Sequence, residues 1–384
     1  MSYLVYLNNY NIRQCRAQYL WVLYEALAHD LDARFILSKE YLRKYNKYNS
    51  WEVRQAEAKY GDFEELISRL KIENCFIMDK PENLIDTSKM VPSEILEYVV
   101  HEEVPTQVSI IEKVLKSNSI KAGVTWVNNK CFKETLHKHN IPVIHHELGP
   151  FRPNIYIPTV YVDFSGVNGE TEFNKRFKEF LKVTHKVPLL RKEELIQVVS
   201  PKFANRLLDV LHEPRRMYDI GVGLQVEVDT NLLLFNKGRN WMDPVLRAQM
   251  DSDTKVLVRP HPAAGYQMKP SVRLEIDDIT KGDSIDFINK CDKIYCLNSS
   301  VGLEAILLGR DVKIFGDSPF KDIPSMDEGT KVKALNFTIF GYLTHRNFLF
   351  DSEYYDWRLS CIGNEEEIYK GNMRRMLEEI KKTN

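Results

Sequence analysis

Short apolar runs alternate with helix-patterned segments along most of this chain, and no other feature limits its possible folds so tightly. In the first half, runs at 3–7, 33–37, 75–78, 122–127 and 142–146 have strand length. Helical patterns near 14–28, 51–70, 92–101, 105–117 and 130–139 separate them. Strands joined through helices need crossover connections, and crossovers make neighbouring strands parallel. A second series begins near 219. Its strands are expected at 220–228, 255–259, 272–276, 293–297 and 311–315, with helices near 240–250, 284–290 and 300–308, the last stopped by Gly309. Residues 170–212 are mainly helical in pattern, broken at Pro188 and at Ser200-Pro201.

At 384 residues the chain is too long for one ordinary core. The expectation is an α/β fold with two Rossmann-like parallel-sheet domains facing across a cleft, spanning 1–212 and 213–350. Residues 351–384 end in a charged helix able to pack back on the first domain.

Charge and cysteine usage narrow the function. Lys plus Arg number 53 and Asp plus Glu 54, so no basic field favours nucleic acid. The six cysteines form no CxxC pair and read as reduced, mostly buried thiols of a cytoplasmic protein. The opening apolar run lacks a basic flank and is too short for a signal peptide, and no stretch is long enough to span a bilayer. Leu7-Asn8-Asn9-Tyr10-Asn11 is not a dinucleotide fingerprint, and no P-loop follows any strand.

Polar clusters close several of the apolar runs. Arg259-Pro260-His261-Pro262 follows one strand and Asn298-Ser299-Ser300-Val301-Gly302-Leu303-Glu304 follows its expected neighbour while opening a helix. Ligands bind at the carboxyl ends of strands in open α/β sheets. A guanidinium, an imidazole and two hydroxyls at a helix start suit a phosphate. A proline-bordered turn and an ordinary Ser cap would explain each half separately. In Gly223-Leu224-Gln225-Val226-Glu227-Val228-Asp229, alternation places Gln225, Glu227 and Asp229 on one strand face. An edge strand with Asp229 capping the next segment is the plainer account. His145-His146-Glu147-Leu148-Gly149-Pro150-Phe151-Arg152 ends the last strand of the first series, with Glu147 a candidate base and Arg152 a candidate anion binder. Adjacent strand histidines point to opposite faces, so no zinc site is expected there. Asp251-Ser252-Asp253 suits a helix-to-strand turn better than a metal motif. Tyr41, Tyr45, Tyr48 and Trp51 lie among lysines, as on an exposed helix or loop.

Taken in order, the His-Pro and Ser-Ser elements resemble those of bacterial transferases that use CMP-activated acidic sugars. With 225–229 and His146-Glu147-Leu148-Gly149-Pro150, the set is similar to the retaining β-Kdo transferases of capsule and O-antigen synthesis (Kdo is 3-deoxy-D-manno-oct-2-ulosonic acid). The likeness spans roughly 219–320 and, in the first half, only 142–165. It implies a GT-B-like fold, an acceptor-binding first domain and a CMP-sugar-binding second domain. It also implies His261 at the CMP phosphate, Ser299 and Ser300 on that phosphate or the sugar carboxylate, and Asn298 and Gln225 in substrate binding. Asp229 would be the nucleophile, with Glu227 in reserve, and Glu147 the second acid. Lys130, Arg152 and Arg259 are candidates for the Kdo carboxylate. No cofactor or metal is expected, because CMP-Kdo is a substrate. The expected partners are a CMP-sugar and a lipid-linked saccharide acceptor, with peripheral contact at the inner membrane and the chain allowed as one module of a longer polypeptide. A CMP-sialic acid transferase, a nucleotide-sugar epimerase and a non-catalytic saccharide-binding module are the rival readings.

Overall fold

The computed structural model describes residues 1–7, 20–42, 58–59, 61–78, 90–226, 229–262 and 268–383. Residues 8–11, Tyr45, Tyr48, Trp51 and Glu227 therefore lie outside the described residues. The strands are β1 (Ser2–Tyr6), β2 (Ala33–Leu37), β3 (Cys75–Ile77), β4 (Ile120–Thr125), β5 (Val143–Leu148), β6 (Thr159–Asp163), β7 (Tyr218–Gly223), β8 (Val256–Arg259), β9 (Leu274–Ile276), β10 (Cys291–Cys296), β11 (Asp311–Ile314) and β12 (Leu343–His345).

They form a seven-stranded sheet ordered β12-β6-β5-β4-β1-β2-β3 and a five-stranded sheet ordered β11-β10-β7-β8-β9. The ladders β1–β2, β1–β4, β2–β3 and β4–β5 are parallel, as are all four of the smaller sheet. The fold class is thus the expected one, α/β with two Rossmann-like parallel sheets. Every residue of β1 is buried, as expected of a strand covered on both faces. Asn129 accepts from the Phe132 amide at 2.8 Å and so starts the helix Lys130–Lys138.

Three local expectations change. β7 ends at Gly223, not near 228, because the last residues of β8 and β10 opposite it are Arg259 and Cys296. Leu224 N still donates to Arg259 O at 3.0 Å, but 224–226 no longer form strand, so the alternation there does not extend β7. β6 and β12 escaped notice, and β12 pairs antiparallel to β6 at the sheet edge. It has three residues and directly follows a π-helical turn, Phe337–Tyr342, so no periodicity announces it. Tyr41 is not exposed but buried at 2% in a short turn, Lys39–Leu42.

Contacts divide the chain into one unit of 1–147, 162–170 and 347–360 and a second of 148–161, 171–346 and 361–384. The boundary expected at 212/213 falls elsewhere. The helix Phe173–Val183 belongs to the second unit, where Arg176 makes a two-pronged pair with Glu365 at 2.9 and 3.0 Å and donates to Gly341 O at 2.7 Å. Phe180 and Phe340 pack on Tyr369, with centroids 5.2 and 5.4 Å away. Aromatic pairs of this kind add about 0.5–1.5 kcal/mol each beyond their buried area. They fix the last helix, Glu365–Thr383, in the second unit rather than the first. The helix Ser352–Ser360 instead joins the first unit, where Asp356 accepts from Tyr3 Oη at 2.7 Å and from Lys121 Nζ at 2.6 Å.

Candidate active site

The carboxyl-end edge of the five-stranded sheet collects the polar residues of the second series. Gly223 at the end of β7 lies opposite Arg259 of β8 on one side and Cys296 of β10 on the other. The chain leaving these three strand ends carries 225–229, His261 and 298–300. Gly223 is required here: a Cβ would lie 2.7 Å from Val301 Cγ1, so the helix Val301–Leu307 begins directly against the strand end.

A clamp fixes the loop geometry. Gln225 Nε2 donates to Asn298 Oδ1 at 2.8 Å, and Gln225 Oε1 accepts from the Asn298 amide at 3.1 Å. Asn298 Nδ2 donates to the carbonyls of Asn231 at 2.9 Å and Phe235 at 3.3 Å. Asn298 is 5% exposed, and its side chain is committed to holding the helix Thr230–Phe235 against the end of β10. Through these bonds both residues hold the loop in place.

Asp229 is half-buried and caps that same helix, accepting from the Asn231 amide at 2.9 Å. The plainer sequence account of Asp229 is therefore part of what the residue does. Ser299 and Ser300 are half-buried at the start of Val301–Leu307, and Ser299 Oγ accepts from the Val301 amide at 3.4 Å. His261 is half-buried in the loop beyond β8.

Arg259 sits at this edge but its fork is turned elsewhere. Nη1 pairs with Asp277 Oδ2 at 2.5 Å and Nη2 donates to Gly282 O at 2.8 Å. Asp277, only 3% exposed in its side chain, also takes Lys290 Nζ at 2.8 Å. The guanidinium thus ties β8 to the segment after β9.

Glu304 had been noted without a role. Its carboxylate is 6% exposed and accepts from Ser284 Oγ at 2.7 Å. Burial outweighs the Ser284 hydroxyl, the nearby Tyr156 phenol and the Arg152 guanidinium, and pushes its pKa up to about 7. Arg152, whose Nε also donates to Gly149 O at 3.3 Å, therefore lies in the electrostatic reach of Glu304. Ser284 and Tyr156 are far from 304 in sequence, and no local pattern marks them as its neighbours.

The remaining candidates belong to the first unit. Glu147 is half-buried near the end of β5, and Lys130 is half-buried in the first turn of Lys130–Lys138. His145 and His146 are core residues at 0% and 1% exposure. Burial pushes the His145 imidazole down to about 3. His146 Nε2 meets Tyr355 Oη at 2.8 Å, and its ring stacks on Trp126 and Tyr355. Among the described residues no cluster of three His, Cys, Asp or Glu could hold a metal. Asp251 ends the helix Asp243–Asp251 and Ser252 Oγ donates to Asp219 at 3.0 Å, so Asp251-Ser252-Asp253 is the helix-to-strand turn expected.

Residues 5–172 match the model of the glycosyltransferase 99 family N-terminal domain, and residues 222–327 match that of the capsule polysaccharide biosynthesis protein. The chain thus carries regions that match glycosyltransferase and capsule polysaccharide synthesis domains. Among solved structures it is similar to two domains of Thermosulfurimonas dismutans KpsC. The beta Kdo 2,7 transferase is 16% identical, with 65% of this chain and 90% of that chain covered at a TM-score of 0.42. The beta Kdo 2,4 transferase is 15% identical, with 59% and 81% covered at 0.41. A UDP-GlcNAc 2-epimerase from Neisseria meningitidis is 12% identical over the whole of both chains at 0.32. No curated protein matches. The second matched region takes in the Gln225–Asn298 clamp, Asp229, Arg259, His261, Ser299, Ser300 and Glu304, and the first takes in Lys130, Glu147 and Arg152.

Proposed function

We propose that this glycosyltransferase moves Kdo from CMP-β-Kdo to a saccharide hydroxyl with retention, in capsule or O-antigen synthesis. The observation that carries the reading is the single strand-end level shared by β7, β8 and β10. A carboxylate, an imidazole and two hydroxyls follow those three strand ends. Nucleophile and leaving-group donors are needed together in that way.

In the proposed first step an Asp229 oxygen attacks the anomeric carbon. The bond to the phosphate oxygen breaks, and CMP departs with the electron pair. His261, Ser299 and Ser300 stabilise the charge that grows on that phosphate. In the second step the acceptor hydroxyl attacks the same carbon, Glu147 takes its proton, and the Asp229 carboxylate is released. Two displacements at one carbon give retention. Lys130 and Arg152 are the proposed partners of the Kdo carboxylate, since Arg259 is held by Asp277. No metal or cofactor takes part in this scheme. The proposed acceptor is lipid-linked, met in the cytoplasm with peripheral contact at the inner membrane. Among the described residues no helix is long and apolar enough to cross a membrane.

The test is incubation with CMP-Kdo and with CMP-sialate over a panel of saccharide acceptors, following CMP release and reading product configuration by NMR. The expected product is β-linked Kdo, with Asp229→Ala inactive. An α-linked product, turnover of CMP-sialate alone, or full activity in Asp229→Ala would each overturn the scheme.

A further inference from the structure

A cavity of about 620 Å3 lies at the carboxyl end of the edge strand β11, with β10 between that strand and β7. Lys237, Arg239, Arg247, Lys313 and Lys321 line it together with Phe315, against one carboxylate, Asp243. Two further acids reach these cations. Asp251 takes Arg247 at 2.9 Å and Lys313 at 3.1 Å, while Asp317 takes Lys237 at 2.9 Å and Lys321 at 2.8 Å. Five cations thus meet Asp243, Asp251 and Asp317, with Asp322 also in electrostatic reach of Lys321, a local surplus of one positive charge in a chain whose formal net charge is −1. Arg239 donates to Phe315 O at 3.0 Å, which holds its guanidinium at the wall.

An exposed apolar surface adjoins the cavity. In the helix Asp243–Asp251, Val245 and Ala248 are fully buried against the sheet. The opposite arc carries Leu246 at 48% exposure and Met250 at 79%, with Arg247 between them in sequence and on the cavity side. Val272, 87% exposed, precedes Arg273, whose Nη2 donates to Gln249 O at 2.9 Å near the end of the same helix. Large apolar side chains beside a basic cavity suit a boundary between headgroups and acyl chains. A soluble nucleotide or a nucleic acid would leave Leu246 and Met250 unused.

We propose that this face of the second unit docks on an anionic phospholipid surface, with headgroup phosphates in the cavity and Leu246 and Met250 entering the boundary below them. This locates the membrane contact of the proposed function and does not rest on the identity of the donor sugar. The test is co-sedimentation of the full chain with phosphatidylcholine vesicles made with and without phosphatidylglycerol, across a salt series. Binding is expected only with phosphatidylglycerol, and it should weaken as salt rises. Lys321→Ala should weaken it on the order of five-fold, as one basic group near an anionic surface does. Met250→Ser, at a site too exposed to affect folding, should also weaken it while CMP release from soluble substrates is unchanged. Equal binding to both vesicle types, or wild-type binding by both variants, overturns the proposal. So does saturable binding of inorganic pyrophosphate, lost in Lys321→Ala, with no vesicle binding, which would make the cavity a site for soluble phosphates.

Discussion

Replacing Arg259 by Met separates an anion-binding role from a structural one. The Arg259 and Asp277 side chains are 12% and 3% exposed, and their atoms approach to 2.5 Å. Removing one partner of a buried pair costs about 3–5 kcal/mol, because the other charge stays buried. Lys290 remains on Asp277 Oδ1 at 2.8 Å, so the loss should sit at the lower end of that range. Gly282 O also loses its donor at 2.8 Å, which costs about 1 kcal/mol more. A total loss of about 4 kcal/mol in a unit of this size lowers Tm by about 8–16 °C. The assay is thermal unfolding, with hydrogen exchange of the β8 and β9 peptides assigning the change to this sheet. The double variant Arg259→Met with Asp277→Asn should recover part of the loss. A Tm within about 1 °C of wild type with donor binding abolished would refute the reasoning, since that result belongs to a free guanidinium that meets the substrate.

Three other outcomes follow from the same edge of the sheet. Asp229→Asn keeps an oxygen to accept from the Asn231 amide, so Tm should hold while activity falls by more than about 1000-fold; Asp229→Ala should lose activity and about 1 kcal/mol of stability as well. Glu304 is raised by burial to about 7, so the folded state holds a proton that the unfolded chain releases near the ordinary carboxylate value of about 4.3. Its contribution is then present in acid and lost as pH climbs to about 7, and Glu304→Gln, which keeps the acceptor for Ser284, should gain up to about 3 kcal/mol on wild type between pH 5 and 8 in urea melts. An unchanged difference between the two proteins across that range would contradict the burial argument. Gly223→Ala places a methyl 2.7 Å from Val301 Cγ1 and should cost about 1–3 kcal/mol, with kcat falling as the start of Val301–Leu307 is pushed away; an equally stable and active variant would show that the contact yields freely.

The sheets were legible in the sequence because buried parallel strands are nearly continuous apolar runs and the crossovers are helices with caps. The runs at 142–146 and 255–259 are legible for that reason. The extent of β7 was not legible. The sequence of 224–228 alternates as a strand's should, but the ladder on 224–226 ends where the neighbouring strands end, and that is a property of Arg259 and Cys296 rather than of the segment itself. The polar edge was visible as two short motifs. What each side chain touches was not: Arg259 meets Asp277 across 18 positions, Asn298 meets Gln225 across 73, and Glu304 meets Ser284 across 20. The cations beside β11 were missed because they come from three separate stretches between 237 and 321, each ordinary in composition.

The interleaved division of the chain has a bearing on how the protein is made. The path changes unit at 147/148, 161/162, 170/171, 346/347 and 360/361. His146 finds its Tyr355 partner at 2.8 Å, and Tyr3 finds Asp356 at 2.7 Å, only after synthesis has passed residue 356. The first sheet therefore waits through synthesis of the entire second series, with aromatic and histidine surface meant for the Ser352–Ser360 helix uncovered. Translation that stalls or terminates between 346 and 352 yields a chain with every strand of both sheets but with neither the Ser352–Ser360 cover of the first unit nor the Glu365–Thr383 helix of the second, a species suited to capture by chaperones or proteases.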